Sequence, residues 1–239
     1  MAVNINRVYQ KVLALLNKEQ RGYLTPQEFN LLADRAQNEI YENYFHQARN
    51  SNAKIKDDDQ YTDKLEMIEA KLSPFLKSAG GTTSDNQGVY TLPTDLYKII
   101  TVQLGLYVAE EVNRKELEYI LALGNSVNSK LKPTVSRPVY IRDSATTIKI
   151  TDGGASGNSN TTVVFDYYKE PATPSWNYVV LNEKALYNSN TSIDFELSTS
   201  EEEPLVSRIL MLAGFTIKQP DAQQAGGASI QMTNQEQNS

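Results

Sequence analysis

Four groups of residues are of types that do chemistry: a single histidine, His46; the acidic run Asp57-Asp58-Asp59 with Asp63; the carboxylates Asp166 and Glu170; and the glycine-rich stretch Gly153-Gly154-Ala155-Ser156-Gly157. A lone histidine serves as a general base only with an orienting acid and a nucleophile, and no such constellation surrounds His46. Its neighbours Tyr44 and Phe45 read it as packed or interfacial. An EF-hand loop needs glycine at its sixth position and glutamate at its twelfth. Counted from Asp57 these are Thr62 and Ile68, so the acidic run reads as a solvated loop, with no metal assigned. The glycine-rich stretch lacks the GxxxxGK[ST] pattern, and no helix pattern follows it; it reads as a long hairpin tip. Asp166 and Glu170 match the pair of a glycosidase, but carboxylates on the wet face of a strand explain them equally. Tyr167, Tyr168, Trp176 and Tyr178 cluster near Pro171 and Pro174, where aromatic rings stack on sugars or pack a core and a subunit contact.

Composition closes further routes. The absence of cysteine excludes disulfides, thiolate metal sites and a cysteine nucleophile. No apolar run reaches the roughly 18 residues of a membrane span. The net charge of −6 argues against a free-standing duplex binder. Asn plus Gln total 34 and Ser plus Thr 36 of 239 residues, while the apolar share is 40%. So thin an apolar fraction suggests many loops, or burial completed by neighbouring copies. No enzyme, cofactor or metal is expected.

The elements that must position these residues begin with helices. Ile5, Val8, Tyr9, Val12, Leu15 and Leu16 recur at helical spacing. Thr25-Pro26-Gln27-Glu28 is a capping box, opening a helix whose face is Phe29, Leu32, Ala33, Ala36, Ile40 and Tyr44 and which runs to about Arg49. After a polar loop over 50–61, Thr62 caps a third helix with Leu65, Ile68 and Leu72, ended by Ser73-Pro74. Residues 1–78 carry 11 basic and 11 acidic groups and residues 79–239 carry 12 and 18, which places a boundary at Gly80-Gly81.

Beyond it the period shortens to two. Strands are expected over 89–92, 97–104, 139–142, 146–151, 162–168, 178–181 and 192–197, the last alternating Ile193, Phe195 and Leu197 with Asp194 and Glu196. Asn113 and Glu116 form a second capping box for a helix over 113–123, closed by Gly124. Ser200 and Glu203 cap a final helix with Leu205, Val206, Ile209, Leu210 and Ala213 on its apolar face and Gly214 at its end. From Gln219 the chain holds two charges, Asp221 and Glu236, and cannot form a core of its own.

The expected fold is therefore α+β. An N-terminal helical region (1–78) and a C-terminal helix (200–215) form a helical bundle around an inserted antiparallel β-sandwich or barrel (79–199), followed by an extended or disordered tail arm (216–239).

The segment order resembles a known family. Amphipathic N-terminal helices lead to Val89-Tyr90-Thr91-Leu92-Pro93-Thr94-Asp95-Leu96-Tyr97-Lys98-Ile99, then Arg137-Pro138-Val139-Tyr140-Ile141-Arg142 and Asp166-Tyr167-Tyr168-Lys169-Glu170-Pro171. Ile193-Asp194-Phe195-Glu196-Leu197 and the helix Leu205–Ile217 close the series. Over residues 1 to about 217 this is similar to the head-to-tail adaptor, or ring, proteins of short-tailed bacteriophages. The segment Asn4–Phe45 most resembles ring proteins of crAss-like phages. The resemblance implies a virion protein forming a homo-oligomeric ring, typically a dodecamer. It would dock under the portal protein, contact other tail or ring proteins, and surround DNA that passes without sequence-specific binding. In such adaptors C-terminal segments reach along the portal, which makes Gln219, Pro220, Gln223, Gln224, Ile230 and Met232 the candidate partner contacts. Acidic residues lining the channel would keep DNA from adhering. The rival readings are a glycan-binding β-module using Trp176 and the nearby tyrosines, and a cell-wall-degrading virion enzyme using Asp166 and Glu170.

Overall fold

The computed structural model describes residues 2–18, 24–54, 60–83, 88–123, 132–153, 162–181 and 184–216. In chain order the elements are β1 (Ala2–Val3), α1 (Ile5–Lys18), α2 (Pro26–Lys54), α3 (Gln60–Leu72), β2 (Leu76–Thr83), β3 (Val89–Thr91), β4 (Leu96–Leu104), β5 (Tyr107–Glu111), α4 (Arg114–Leu123), β6 (Val139–Arg142), β7 (Thr147–Thr151), β8 (Val163–Lys169), β9 (Tyr178–Leu181), β10 (Lys184–Tyr187), β11 (Phe195–Ser198) and α5 (Glu202–Thr216), with 3-10 turns at Ser73–Phe75 and Thr199–Glu201. The fold is α+β, and it divides into two compact units. One joins the residues up to Pro74 to those from Pro171 onward; the other is Phe75–Glu170. Among the described residues no helix is long and apolar enough to cross a membrane.

In the first unit the helices bury the stripes that their spacing defines. Ile5, Val8, Tyr9, Val12 and Leu16 of α1 are buried, as are Phe29, Ala33, Ala36, Ile40 and Tyr44 of α2, whereas Leu15 is exposed. Asn4 caps α1, its Oδ1 accepting from the Arg7 N–H at 3.0 Å. At the start of α2 the Glu28 N–H donates to Thr25 Oγ1 (3.3 Å), and Glu28 Oε2 accepts from the Thr25 N–H (3.0 Å). α3 packs on α2, and α5 packs on α1 and α2 through Leu205, Val206, Ile209 and Ala213.

Several boundaries differ from the sequence expectation. α2 continues to Lys54 and α3 starts at Gln60, so Thr62 lies inside a helix and not at its cap. α5 runs through Gly214 to Thr216, because that glycine lies on the buried side and continues the packed face. β11 begins at Phe195. Ile193 is exposed and instead forms an isolated bridge with Ser175.

The second unit is one mixed sheet of seven strands in the order β2-β3-β7-β6-β5-β4-β8, with β8 also pairing with β2. Of the expected sandwich or barrel, the structure takes the barrel side: because β8 pairs with both β2 and β4, the sheet curls onto itself instead of splitting into two layers. The sheet is not purely antiparallel, since β5 and β6 run parallel, Glu110 beside Val139 and Glu111 beside Tyr140. Parallel neighbours need a long crossover, and α4 lies within it, its Leu117 covering Val139 and Ile141. At the start of α4 the Asn113 N–H donates to Glu116 Oε2 at 2.9 Å. The other side of the sheet forms the core from Tyr90, Val102, Leu104, Ile148, Val163, Phe165 and Tyr167.

The boundary expected at Gly80-Gly81 is corrected too. Both glycines lie within β2, opposite Val164 and Val163, and the second unit ends at Glu170, so residues 171–199 belong with the helices. The reason is steric. A Cβ on Gly81 would sit 2.6 Å from Phe165 Cε2, while one on Gly80 would meet only Val163 O at 3.9 Å. Gly81 is there for the Phe165 ring, not for a linker.

Two predictions follow from this unit's chemistry. Gly81→Ala should lower stability by about 1–3 kcal/mol by displacing a buried ring, and Gly80→Ala should stay within about 0.5 kcal/mol of the parent; urea unfolding of the pair checks the contrast. Lys77 Nζ lies 2.7 Å from Asp95 Oδ2, and the Tyr167 hydroxyl donates to Asp95 Oδ1 at 2.8 Å. The Lys77 ammonium above all holds the Asp95 carboxyl below its ordinary value of 3.8 against the opposing effect of burial, and the Tyr167 hydroxyl adds a smaller push in the same direction as the lysine. Its contribution to stability is present above that value and is lost as pH falls through the lower folded-state pKa. Asp95→Asn should therefore flatten the fall in Tm between about pH 5 and pH 2, followed by circular dichroism.

Candidate functional site

The hairpin β9–β10 is built up from Trp176, which the sequence marks as the only tryptophan. Its ring is 3% exposed and lies 4.5 Å from Tyr9 and 5.7 Å from both Tyr178 and Tyr187, centroid to centroid. The indole Nε1–H donates to Asn6 Oδ1 at 3.0 Å. Asn30 of α2 takes both backbone groups of Trp176, accepting from its N–H at 2.8 Å and donating to its carbonyl at 3.2 Å. Tyr178 and Tyr187, the residues that close the hairpin's base, thus stack on an anchor pinned to two helices.

Beyond this base the hairpin turns apolar and uncovered. Val179 is 55% exposed, Val180 63%, Leu181 59% and Leu186 49%. Strand alternation puts Val179, Leu181 and Leu186 on one face and Val180 with Ala185 on the other, so both faces are apolar. Among the described residues neither outer edge pairs with a further strand. A two-stranded ribbon with open edges is marginal in water on its own, and contiguous exposed aliphatics mark an interaction surface. β10 was not expected from the sequence; the signal that points to it is a second β-prone run, Ala185-Leu186-Tyr187, close behind Tyr178–Leu181.

A second constellation sits at the start of α5. Lys71 Nζ lies 2.8 Å from Glu201 Oε1, and Glu202 Oε1 lies 2.9 Å from Arg7 Nε and 2.7 Å from Lys11 Nζ. Lys11 also pairs with Glu203. The Glu202 and Glu203 carboxylates raise the Lys11 pKa. Burial first, then the neighbouring Glu201 carboxylate, pushes the Tyr44 phenol up as well. This clasp corrects the expected cap. Residues 199–201 form a 3-10 turn in which Ser200 Oγ meets Ser198 Oγ at 3.3 Å, and Glu203 is drawn to Lys11 and not back to Ser200. The acids serve ion pairs between helices.

The other candidates separate. His46 is exposed on α2, not packed. Asp166 accepts from Thr101 Oγ1 at 2.7 Å and from Gln103 Nε2 at 3.4 Å, while Glu170 is exposed just past β8. Trp176 is too deeply buried to offer a face to a sugar. Gly153 has φ 80°, and a Cβ there would lie 2.0 Å from Pro133 O, which accounts for this glycine without a phosphate. Residues 154–157, Asp57–Asp59, Gly124, and Gln219, Pro220, Gln223, Gln224, Ile230 and Met232 lie outside the described residues. Among the described residues no group of three or more His, Cys, Asp or Glu is placed to hold a metal. No protein-family model matches the chain, and neither does any curated protein.

The clasp gives a test of its own. Lys71→Met strands the buried Glu201 carboxylate and should cost about 3–5 kcal/mol, more than Glu201→Gln, which removes the charge together with its need for a partner. Denaturant unfolding of the two variants gives the order.

Proposed function

We propose that this chain is a structural subunit of a head-to-tail connector ring in a short-tailed bacteriophage, joining portal to tail around the DNA channel and acting by geometry, without catalysis. The observation that carries the reading is the β9–β10 hairpin, stacked on Trp176 at its base, with exposed aliphatic side chains on both faces and, among the described residues, no strand on either outer edge. Such a surface suits a subunit whose burial is finished by its neighbours, and a head-to-tail interface closes into a ring. On this reading α1, α2, α3 and α5 act as the helical bundle of an adaptor, the curled sheet is its inserted β-module, and the residues from Gln219 onward are an arm that reaches a neighbouring protein of the virion. The ring would be a dodecamer of the virion, with DNA passing through it unread.

Purified chain should form closed rings of one subunit number by native mass spectrometry and negative-stain microscopy. Val180→Lys places a charge on the uncovered ribbon, and should raise the concentration needed for assembly at least about tenfold while leaving Tm within a few degrees of the parent. A chain that stays monomeric across the micromolar range, or that clears cell walls by itself, overturns the reading.

A further inference from the structure

We propose that the open edge of β9 accepts residues Ser229–Thr233 of a neighbouring copy as an added antiparallel strand. The proposal deepens the ring reading and rests on it. The Asn188 N–H donates to the Asn177 carbonyl at 2.9 Å, and the register pairs Tyr178 with Tyr187, Val179 with Leu186 and Val180 with Ala185. Stepping along an antiparallel ladder from that bond, the backbone groups of Val179 face β10 and those of Val180 face away. Val180 thus offers an N–H and a C=O to an incoming strand, flanked by exposed Val179 and Leu181 on one face. The β10 edge begins with Lys184, a residue type that blunts strand addition, whereas β9 carries no charge.

The chain itself holds a matching segment. α5 ends at Thr216, and in residues 217–239 the only two apolar side chains larger than alanine spaced two apart are Ile230 and Met232, alternating with Ser229, Gln231 and Thr233. That is the period of a strand with one apolar face, and no charge falls between Asp221 and Glu236. Setting Gln231 opposite Val180 pairs the backbone groups of both. It also puts Met232 beside Val179 and Ile230 beside Leu181, covering the face of the ribbon that carries them. The residues between Thr216 and Ser229, fully extended, span about 40 Å, enough to cross to an adjacent subunit. In a ring each copy gives this strand to one neighbour and receives one from the other, so none is left unmatched.

The chain has no cysteine, so single thiols report the contact cleanly. Val180→Cys and Gln231→Cys chains are prepared separately, mixed under assembly conditions and treated with a short bis-maleimide. A covalent dimer joining position 180 to position 231 is expected in the mixture and in neither variant alone. Val180→Pro deletes the outward N–H without touching the hairpin's own ladder. Combined with Leu181→Cys and mixed with Ile230→Cys, it should lower the yield of the 181–230 link at least about tenfold relative to Leu181→Cys alone. A link within the Val180→Cys sample, or an intrachain link in a diluted Val180→Cys/Gln231→Cys double variant, overturns the proposal in favour of hairpin-to-hairpin contact or the chain's own tail. Rings by native mass spectrometry without the mixed link overturn strand addition and leave the ring reading standing; a chain monomeric throughout overturns both.

Discussion

The first unit depends on carboxamides that stand in for a missing sheet. The segment that returns to the helices after Glu170 carries backbone N–H and C=O groups that no large sheet receives, and buried groups of that kind cost about 1–3 kcal/mol each when left unmet. Gln37, 0% exposed in the middle of α2, meets two of them: its Nε2 donates to the Ala172 carbonyl at 2.9 Å, and its Oε1 accepts from the Glu196 N–H at 3.1 Å. One helical repeat earlier, Asn30 does the same for Trp176, and Asn6 of α1 takes the indole N–H. In the reverse sense, Asp194 accepts the Ile5 N–H at 2.8 Å at the start of α1. These bonds tie residues 135 to 189 positions apart, so they fix which helix faces meet the returning chain.

This constraint explains why the sequence was legible in part. Apolar periodicity locates α1, α2, α4 and most strands, because each buries one stripe or one alternate set. It passes over Asn30 and Gln37, although their spacing of seven puts them on the same stripe as Phe29, Ala33 and Ala36. A count of Asn and Gln alone suggests loops; their position on a helix's apolar face is what marks them as backbone partners. Ile193 misleads in the opposite direction. Its alternation with Phe195 and Leu197 is faithful to a strand, but bridging to Ser175 ends the ladder before it and leaves the side chain exposed.

The second unit shows a different limit. Its strands are local and mostly readable, but closure is not, since nothing near β8 in sequence announces that it will pair on both sides. Gly80-Gly81 looks like punctuation because glycine ends elements far more often than it makes room for a ring. β5 escaped notice because Leu106, Tyr107 and Val108 are exposed apolar residues that fit no buried pattern, while Gly105, at φ 61°, turns the chain between β4 and β5. The polar interior chemistry follows from burial. Tyr140 and Tyr167, each with its phenol pushed up to about 12 chiefly by burial, keep their protons and donate hydrogen bonds to Glu111 and Asp95.

The paired interior of the first unit, to which the buried Tyr44 hydroxyl is an exception, contrasts with the bare hairpin. Within the first unit, charges that enter the packed region are met by opposite charges from another helix, and backbone groups are met by carboxamides. Trp176 extends that order as far as Tyr178 and Tyr187, and there it stops: the next residues on both strands are aliphatic and exposed. An ordinary surface hairpin places polar residues on its wet face and charges on its edges. This one places valine and leucine there, beyond a base stacked on Trp176. On the ring reading proposed for this chain the cover comes from a neighbour, and a surface already ordered by its stacked base lowers the ordering cost of that binding without adding a contact.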